Sequence, residues 1–138
     1  MRRIVLLAAI LGLLAFVLTA CGGPSSPSKS IHVTMTDFQF SPASFTVPAG
    51  EPIAVELTNN GAVAHSFIIM KAGDQVQSHF TDADKPNVLW EVPAVAPGES
   101  VKDTFTSPSE PGQYQIVCGV AGHFEAGMVA KLNVVKGK

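Results

Sequence analysis

The sequence is poor in cysteine and in basic residues. It has two cysteines among 138 residues, and nine Lys and Arg against eleven Asp and Glu. A disulfide framework is excluded, because one of the two cysteines has a separate role described below. No basic run is longer than Arg2-Arg3, which argues against nucleic-acid binding. The length allows one domain and leaves no room for a second catalytic module.

The hydrophobic residues are concentrated at the amino terminus, where residues 4–18 carry no charge. This run is shorter than the roughly 20 residues of a typical membrane span. It leads into LTAC at residues 18–21, which resembles a bacterial lipobox, the motif whose cysteine is acylated after cleavage. We therefore predict a lipoprotein signal peptide at residues 1–20 and lipidation, palmitate included, at Cys21. An uncleaved anchor helix and an ordinary signal that happens to end near a cysteine are the alternatives.

Residues 22–30 read GGPSSPSKS, a composition typical of a tether. Gly and Ser give such a segment freedom, and the two prolines keep it extended. Its reach is at most about 30 Å, so the folded part would stay near the membrane that holds Cys21. We therefore divide the chain into the signal peptide, a lipidated cysteine with its tether at residues 21–30, and a folded domain at residues 31–138.

From residue 31 onward, apolar and polar side chains alternate with a period of two, as in β-strands with one buried face. Turn residues recur about every 8–12 positions, and ten prolines and twelve glycines argue against a helical domain. The predicted fold is an all-β Greek-key β-sandwich of about seven or eight strands. The clearest strands cover residues 31–36, 45–47, 53–58, 67–70, 101–105, 114–118 and 129–135.

The stretch from residue 72 to residue 92 fits neither a helical nor a strand period. It is polar and carries Asp74, Asp82, Asp84 and Lys85. We predict a long irregular surface loop around residues 72–92, with a short helical turn within it.

One loop between two predicted strands holds three metal donors, Cys118, His123 and Met128. From the composition of this chain, the chance that a His lies five residues after a given cysteine and a Met ten residues after it is on the order of one in a thousand. His65 is a candidate fourth donor far upstream. Two imidazoles, a thiolate and a weak thioether suit copper that cycles between Cu(II) and Cu(I). Zinc is the competing metal, but its sites seldom use a thioether.

These residues also have a simpler interpretation as ordinary core or surface residues. Cys118 could be a small buried hydrophobe, and a methionine at a strand end usually fills a core. The joint spacing of Cys, His and Met argues against that interpretation, whereas His65 stands alone in its segment. His32 alternates onto the polar face of the first strand and His79 lies in the long loop, so we expect both at the solvated surface.

Two segments of the chain resemble the cupredoxins, the family of small blue copper proteins. The early segment is FSPASFTVPAGEPIAVELTNNG at residues 40–61, followed by a histidine, and the late one covers residues 111–128. The resemblance extends over nearly all of residues 31–138 and implies one type 1 copper ion in a cupredoxin fold. In the late loop, four residues separate Cys from His and four separate His from Met, which is more similar to auracyanin-type or phytocyanin-type loops than to plastocyanin. The lipoprotein signal favours the auracyanin-type loop. The implied ligands are His65, Cys118, His123 and Met128.

Two residues beside the implied ligands depart from the family pattern. Many relatives place Asn after the first histidine, where it ties the two ligand loops together, and here that residue is Ser66. The residue after the cysteine is often Ser, Thr or Asn, and here it is Gly119. We therefore expect the hydrogen bond between the loops to be weaker or rebuilt. The carbonyl of Ala64 is a candidate second weak axial contact, opposite Met128.

The resemblance implies an electron carrier, and we predict a monomer. The lipobox-like signal adds a lipid anchor that holds it to the cell membrane on the extracytoplasmic face. The implied partners are redox proteins, namely a cytochrome, a membrane oxidoreductase complex or a reaction centre. The second histidine would reach the surface through an apolar patch at which such a partner docks briefly. Here the patch would comprise Gly61, Ala62, Val63, Ala121, Phe124, Ala126 and Gly127.

Two other functions compete with electron transfer. Copper storage or delivery in the cell envelope is the alternative function, which the few scattered methionines of the mature chain disfavour. An enzyme is not expected, because four histidines cannot supply the additional copper sites of a copper oxidase. A binuclear copper site would need two bridging cysteines, and only Cys118 remains once Cys21 is lipidated.

Overall fold

The computed structural model describes residues 26–137 as nine β-strands and one 3-10 helix, the latter at Asp82–Asn87. The signal peptide, Cys21 and the first part of the tether lie outside the described residues, so their roles stay predictions. The strands are β1 Ser30–Thr36, β2 Gln39–Ser41, β3 Ser44–Pro48, β4 Pro52–Asn59, β5 His65–Met70, β6 Val88–Val95, β7 Ser100–Thr106, β8 Gly112–Val117 and β9 Val129–Val135.

The strands form two sheets that share one core. One sheet has the order β2-β1-β4-β7, and the other has the order β3-β9-β8-β5-β6. The pairs β1–β4 and β3–β9 are parallel, and the remaining neighbours are antiparallel. The predicted all-β sandwich is therefore confirmed, with nine strands in residues 26–137 where the pattern predicted seven or eight.

The core is built from the apolar residues of the period-two segments. Met35 and Leu57 from one sheet and Phe67 and Leu132 from the other are all completely buried. Every residue of β5 is buried, because it lies between β8 and β6 in the second sheet. A close-packed core of this kind resists deformation. It therefore fixes the ends of β5 and β8, to which the loops carrying the predicted donors are attached.

The predicted loop at residues 72–92 is wrong in its last part, because β6 begins at Val88. Pro93, within the same strand, interrupts the alternation of apolar and polar residues that indicates a strand. Since β6 is an edge strand, it tolerates a proline that cannot donate to the ladder. The predicted helical turn is confirmed as the 3-10 helix. At its start, Asp84 accepts hydrogen bonds from the backbone N–H of Thr81 at 2.7 Å and from its hydroxyl at 2.8 Å.

The amino-terminal end of the described chain rests on the sandwich. The backbone N–H of Ser28 donates to the carbonyl of Thr46 at 2.9 Å, and Nζ of Lys29 lies 3.0 Å from Oε2 of Glu51. Within residues 26–137, none of the helical structure has the length and apolar character required to cross a membrane.

Candidate metal centre

His65 lies at the start of β5, and the loop in front of it is held by the side chain of Asn59. Nδ2 of Asn59 donates to the carbonyls of Val63 and Val95, each at 2.8 Å, and Oδ1 accepts the N–H of Gly61 at 2.8 Å. Asn59 is completely buried, so these bonds are made away from competing water. The Asn-Asn-Gly turn that ends β4 therefore also positions His65.

The other three predicted donors lie on the loop between β8 and β9. The backbone N–H of Cys118 donates to the carbonyl of Met128 at 3.3 Å, and that of Met128 donates to the carbonyl of His123 at 2.9 Å. Gly122 and Gly127 have φ angles of 83° and 97°, in the left-handed region that favours glycine. Because these bonds close the loop on itself, Met128 lies fully buried beside the other two donors.

The donor atoms of His65, Cys118 and His123 converge inside the protein. Nδ1 of His123 lies 3.2 Å from Nδ1 of His65 and 3.5 Å from Sγ of Cys118. All three residues are buried, and their donor atoms lie within 4.8 Å of one another. Donor atoms about 2.0–2.3 Å from a shared ion are separated by roughly 3–4 Å, so the spacing fits a bound metal. Two imidazoles and a thiol beside a buried methionine fit copper.

The protonation of His65 suits a metal ligand. Burial lowers the pKa of His65 below its ordinary value, and the nearby charge of His123 lowers it further. The carboxylate of Asp37 acts in the opposite direction but does not reverse the shift. A lowered pKa keeps the imidazole neutral near pH 7, and a neutral imidazole offers the nitrogen lone pair that a metal requires.

The hydrogen bond between the two ligand loops is rebuilt through Ser66. Its Oγ accepts the N–H of Gly119 at 2.6 Å and donates to Sγ of Cys118 at 3.7 Å. A Cβ at Gly119 would lie 2.9 Å from Cδ1 of Ile68 and 3.1 Å from Cδ1 of Phe80, so a larger residue there would require both side chains to shift. The two departures from the family pattern therefore belong together, because the short Ser66 side chain reaches a backbone N–H at Gly119.

The two remaining histidines lie at the surface, as predicted. His32 is exposed and its Nδ1 lies 3.0 Å from Oε2 of Glu56, while His79 is exposed beside Ser78. Ala64 is exposed and directly precedes β5, and the role of its carbonyl stays a prediction.

The turn between β1 and β2 contributes two residues that sequence reasoning missed. Oδ1 of Asp37 lies 3.5 Å from Nε2 of His65. The ring of Phe38 meets the ring of His123 edge to face, with centroids 5.1 Å apart and an interplanar angle of 83°. Phe38 has a φ of 65°, which is unusual for a residue with a side chain. The one feature of the sequence that could have drawn attention to this turn is Phe38, a large apolar residue at a position where a turn residue is expected.

The predicted apolar surface around His123 is present in part. His123 is 6% exposed to solvent, whereas His65 is completely buried. Phe124 packs against a second apolar cluster that includes Ile68, whereas Phe38 is 49% exposed beside His123. The exposed members of the predicted patch are Ala62, Val63, Ala121, Ala126 and Gly127.

Comparison with known proteins gives one consistent result. A family model described as a cupredoxin-like domain matches residues 6–130. Auracyanin-A of Chloroflexus aurantiacus is 32% identical over 143 aligned positions, which cover 84% of this chain and 88% of that protein. The copper-resistant cuproprotein CopI of Rubrivivax gelatinosus is 34% identical over 122 positions, covering 82% and 70%. The crystal structure of dithionite-reduced auracyanin from Roseiflexus castenholzii has a TM-score of 0.69 at 27% identity, covering 80% of this chain and 99% of that one.

Proposed function

The chain belongs to the cupredoxin family, whose cofactor is copper, and we propose that it is an electron carrier tethered to the extracytoplasmic face of the cell membrane. It carries one type 1 copper ion and has no catalytic role. The observation that carries the proposal is the meeting of two imidazole nitrogens and one thiol sulfur within 4.8 Å in a buried position. The proposed ligands are His65, Cys118, His123 and Met128.

Copper held by these residues supplies a one-electron couple between Cu(II) and Cu(I). The role of the protein is to keep the ligands in one arrangement for both oxidation states. The bonds of Asn59 hold the loop before β5, and Ser66 ties that side of the centre to the Cys118 loop. Since the ligand loops are anchored on a close-packed core, little reorganisation opposes electron transfer.

We place the docking surface for a redox partner at the end of the sandwich around His123. Val63 and Phe38 are 44% and 49% exposed there, and the Phe38 ring contacts the imidazole of His123. A small apolar surface suits weak and brief redox encounters. Without residues 1–20 the chain has seven basic and eleven acidic side chains, which favours a cytochrome or membrane redox complex with a basic surface.

Acylation of Cys21 is the proposed means of membrane attachment, supported by the lipobox-like residues 18–21. We expect the Cys21→Ser variant to move from the membrane fraction to the soluble extracytoplasmic fraction, because the acyl chains that bury in the bilayer are lost. Cell fractionation with immunodetection measures this change, and Cys118→Ser is the matched control that should stay with the membrane. Equal membrane retention of wild type and Cys21→Ser contradicts lipid anchoring.

Copper storage or delivery is the second candidate function, favoured by the similarity to a copper-resistant cuproprotein. The two functions differ in what leaves the reduced protein first. We expect the Cu(I) form to reduce an oxidised cytochrome much faster than it gives copper to a Cu(I) chelator, because the proposed His and Cys ligands are 0–6% exposed. Stopped-flow absorbance follows both reactions, and faster loss of copper than of electrons favours delivery.

A further inference from the structure

The carboxylate of Asp37 approaches the centre from outside the proposed ligand set. Its Oδ1 lies 3.5 Å from Nε2 of His65, on the side of the imidazole ring away from Nδ1. Nδ1 is the atom that faces His123. Among residues 26–137, Nε2 of His65 is the one buried side-chain nitrogen or oxygen without a hydrogen-bond partner. The outer nitrogen of this imidazole is therefore unpaired, and the carboxylate of Asp37 at 3.5 Å is an acceptor that a small movement brings within hydrogen-bond distance.

Gly61 keeps the space between Asp37 and His65 open. A Cβ at Gly61 would lie 2.5 Å from Oδ1 of Asp37 and 2.8 Å from Nε2 of His65, and neither distance is tolerated. The backbone N–H of Ala62 donates to the same Oδ1 at 3.0 Å and holds the carboxylate in place. The loop after β4 and the turn after β1 thus bring one carboxylate to one imidazole nitrogen.

We propose that Asp37 is a positioning residue of the copper centre, whose carboxylate accepts the Nε2–H of His65 and favours Cu(II) over Cu(I). The proposal rests on the proposed assignment of His65 as a ligand through Nδ1. A carboxylate that accepts the outer N–H of a ligating imidazole fixes its tautomer and orientation and raises its basicity. Its negative charge also stabilises the more positive oxidation state. The side chain of Asp37 is 42% exposed, so solvent weakens this effect.

The Asp37→Asn variant separates the charge of the carboxylate from its shape. Asn keeps an oxygen that can accept the N–H of Ala62, and it removes only the negative charge. We expect the preference for Cu(II) over Cu(I) to fall about tenfold, which raises the reduction potential by about 59 mV for one electron. The thiolate absorption should remain, because no proposed ligand is lost. Spectroelectrochemical titration of the full-length, copper-loaded protein measures both quantities.

Two further variants test the geometry. Gly61→Ala places a Cβ between the carboxylate and the imidazole and displaces both groups, so it should raise the potential and also perturb the thiolate absorption. Asp37→Glu keeps the charge on a longer side chain and should recover part of the change. Unfolding midpoints of the apo forms are measured in parallel. A shifted potential with a retained midpoint supports the positioning role, whereas a lowered midpoint with an unshifted potential overturns it.

Glu110→Gln is the matched control for charge. Glu110 is exposed before β8, at the end of that strand away from Cys118. The intervening strand places it roughly 20 Å away, beyond the screening length of about 8–10 Å. If Asp37→Asn and Glu110→Gln have the same reduction potential, the proposed role of Asp37 is overturned. The proposed function still stands in that case, provided that the copper-loaded wild type shows the thiolate absorption. Absence of that absorption from the wild type overturns the proposed function itself.

Discussion

We expect the Cys118→Ser variant to lose the intense visible absorption that appears when Cu(II) binds to the wild-type protein. The absorption needs a thiolate on the metal, and a serine oxygen is not the soft donor that copper prefers. Cys118 is completely buried, and residues 26–137 contain no second cysteine that could replace it. Copper affinity should fall by more than about 100-fold, since the loss of an outer partner already costs 10–100-fold. A spectrophotometric copper titration measures both effects.

The loss in Cys118→Ser should come from the metal centre and not from unfolding. Serine is close to cysteine in size, and the hydroxyl of Ser66 is near enough to pair with it. His79→Ala is the matched control, because His79 is exposed in the loop after β5 and should leave the spectrum unchanged. Persistence of the absorption in folded Cys118→Ser contradicts the proposed ligand set.

The second large effect is expected from Asn59→Ala, which should lower the free energy of unfolding of the apo-protein by about 2–4 kcal/mol. The substitution removes three hydrogen bonds from a completely buried side chain. Each buried donor or acceptor left without a partner costs about 1–3 kcal/mol, and access of water to the loop offsets part of the sum. The loss is large against a typical total of 5–15 kcal/mol. Denaturant unfolding measures it.

Asn60→Ala provides the comparison for this variant. Asn60 has the same side chain one position later, but it is exposed, and only its backbone N–H bonds to Met35. We expect a change within about 0.5 kcal/mol, as for most surface substitutions. Because Asn59 also holds the loop before His65, its variant should bind Cu(II) more weakly than Asn60→Ala. Equal stabilities of the two variants would show that Asn59 does not organise the loop.

The parts of the structure that the sequence predicted are those written in local patterns. The alternation in β1 and β4 predicts one buried face for each strand, and their core residues are buried as expected. The Cys-His-Met spacing lies within one loop, so the convergence of these three donors follows from short-range geometry. The addition of His65 depended on the family resemblance, because its segment alone carries no metal-binding pattern.

The features that the sequence did not predict depend on contacts between distant segments. β6 accommodates Pro93 because it lies at a sheet edge, and the edge position is a property of the whole topology. Asp37 and Phe38 reach the two histidines because β1 pairs with β4 and brings the turn after β1 to the loop after β4. The compensation between Ser66 and Gly119 likewise joins residues 53 positions apart.

The central claim is that one copper ion stays in this centre while it changes oxidation state. A redox titration of the purified, copper-loaded protein, followed by the thiolate absorption and by copper analysis after each half-cycle, tests it most directly. The predicted result is one copper per chain and a reversible one-electron transition of about 59 mV per tenfold change in the oxidised-to-reduced ratio. Loss of copper on reduction, or a bound copper without thiolate absorption, contradicts the account.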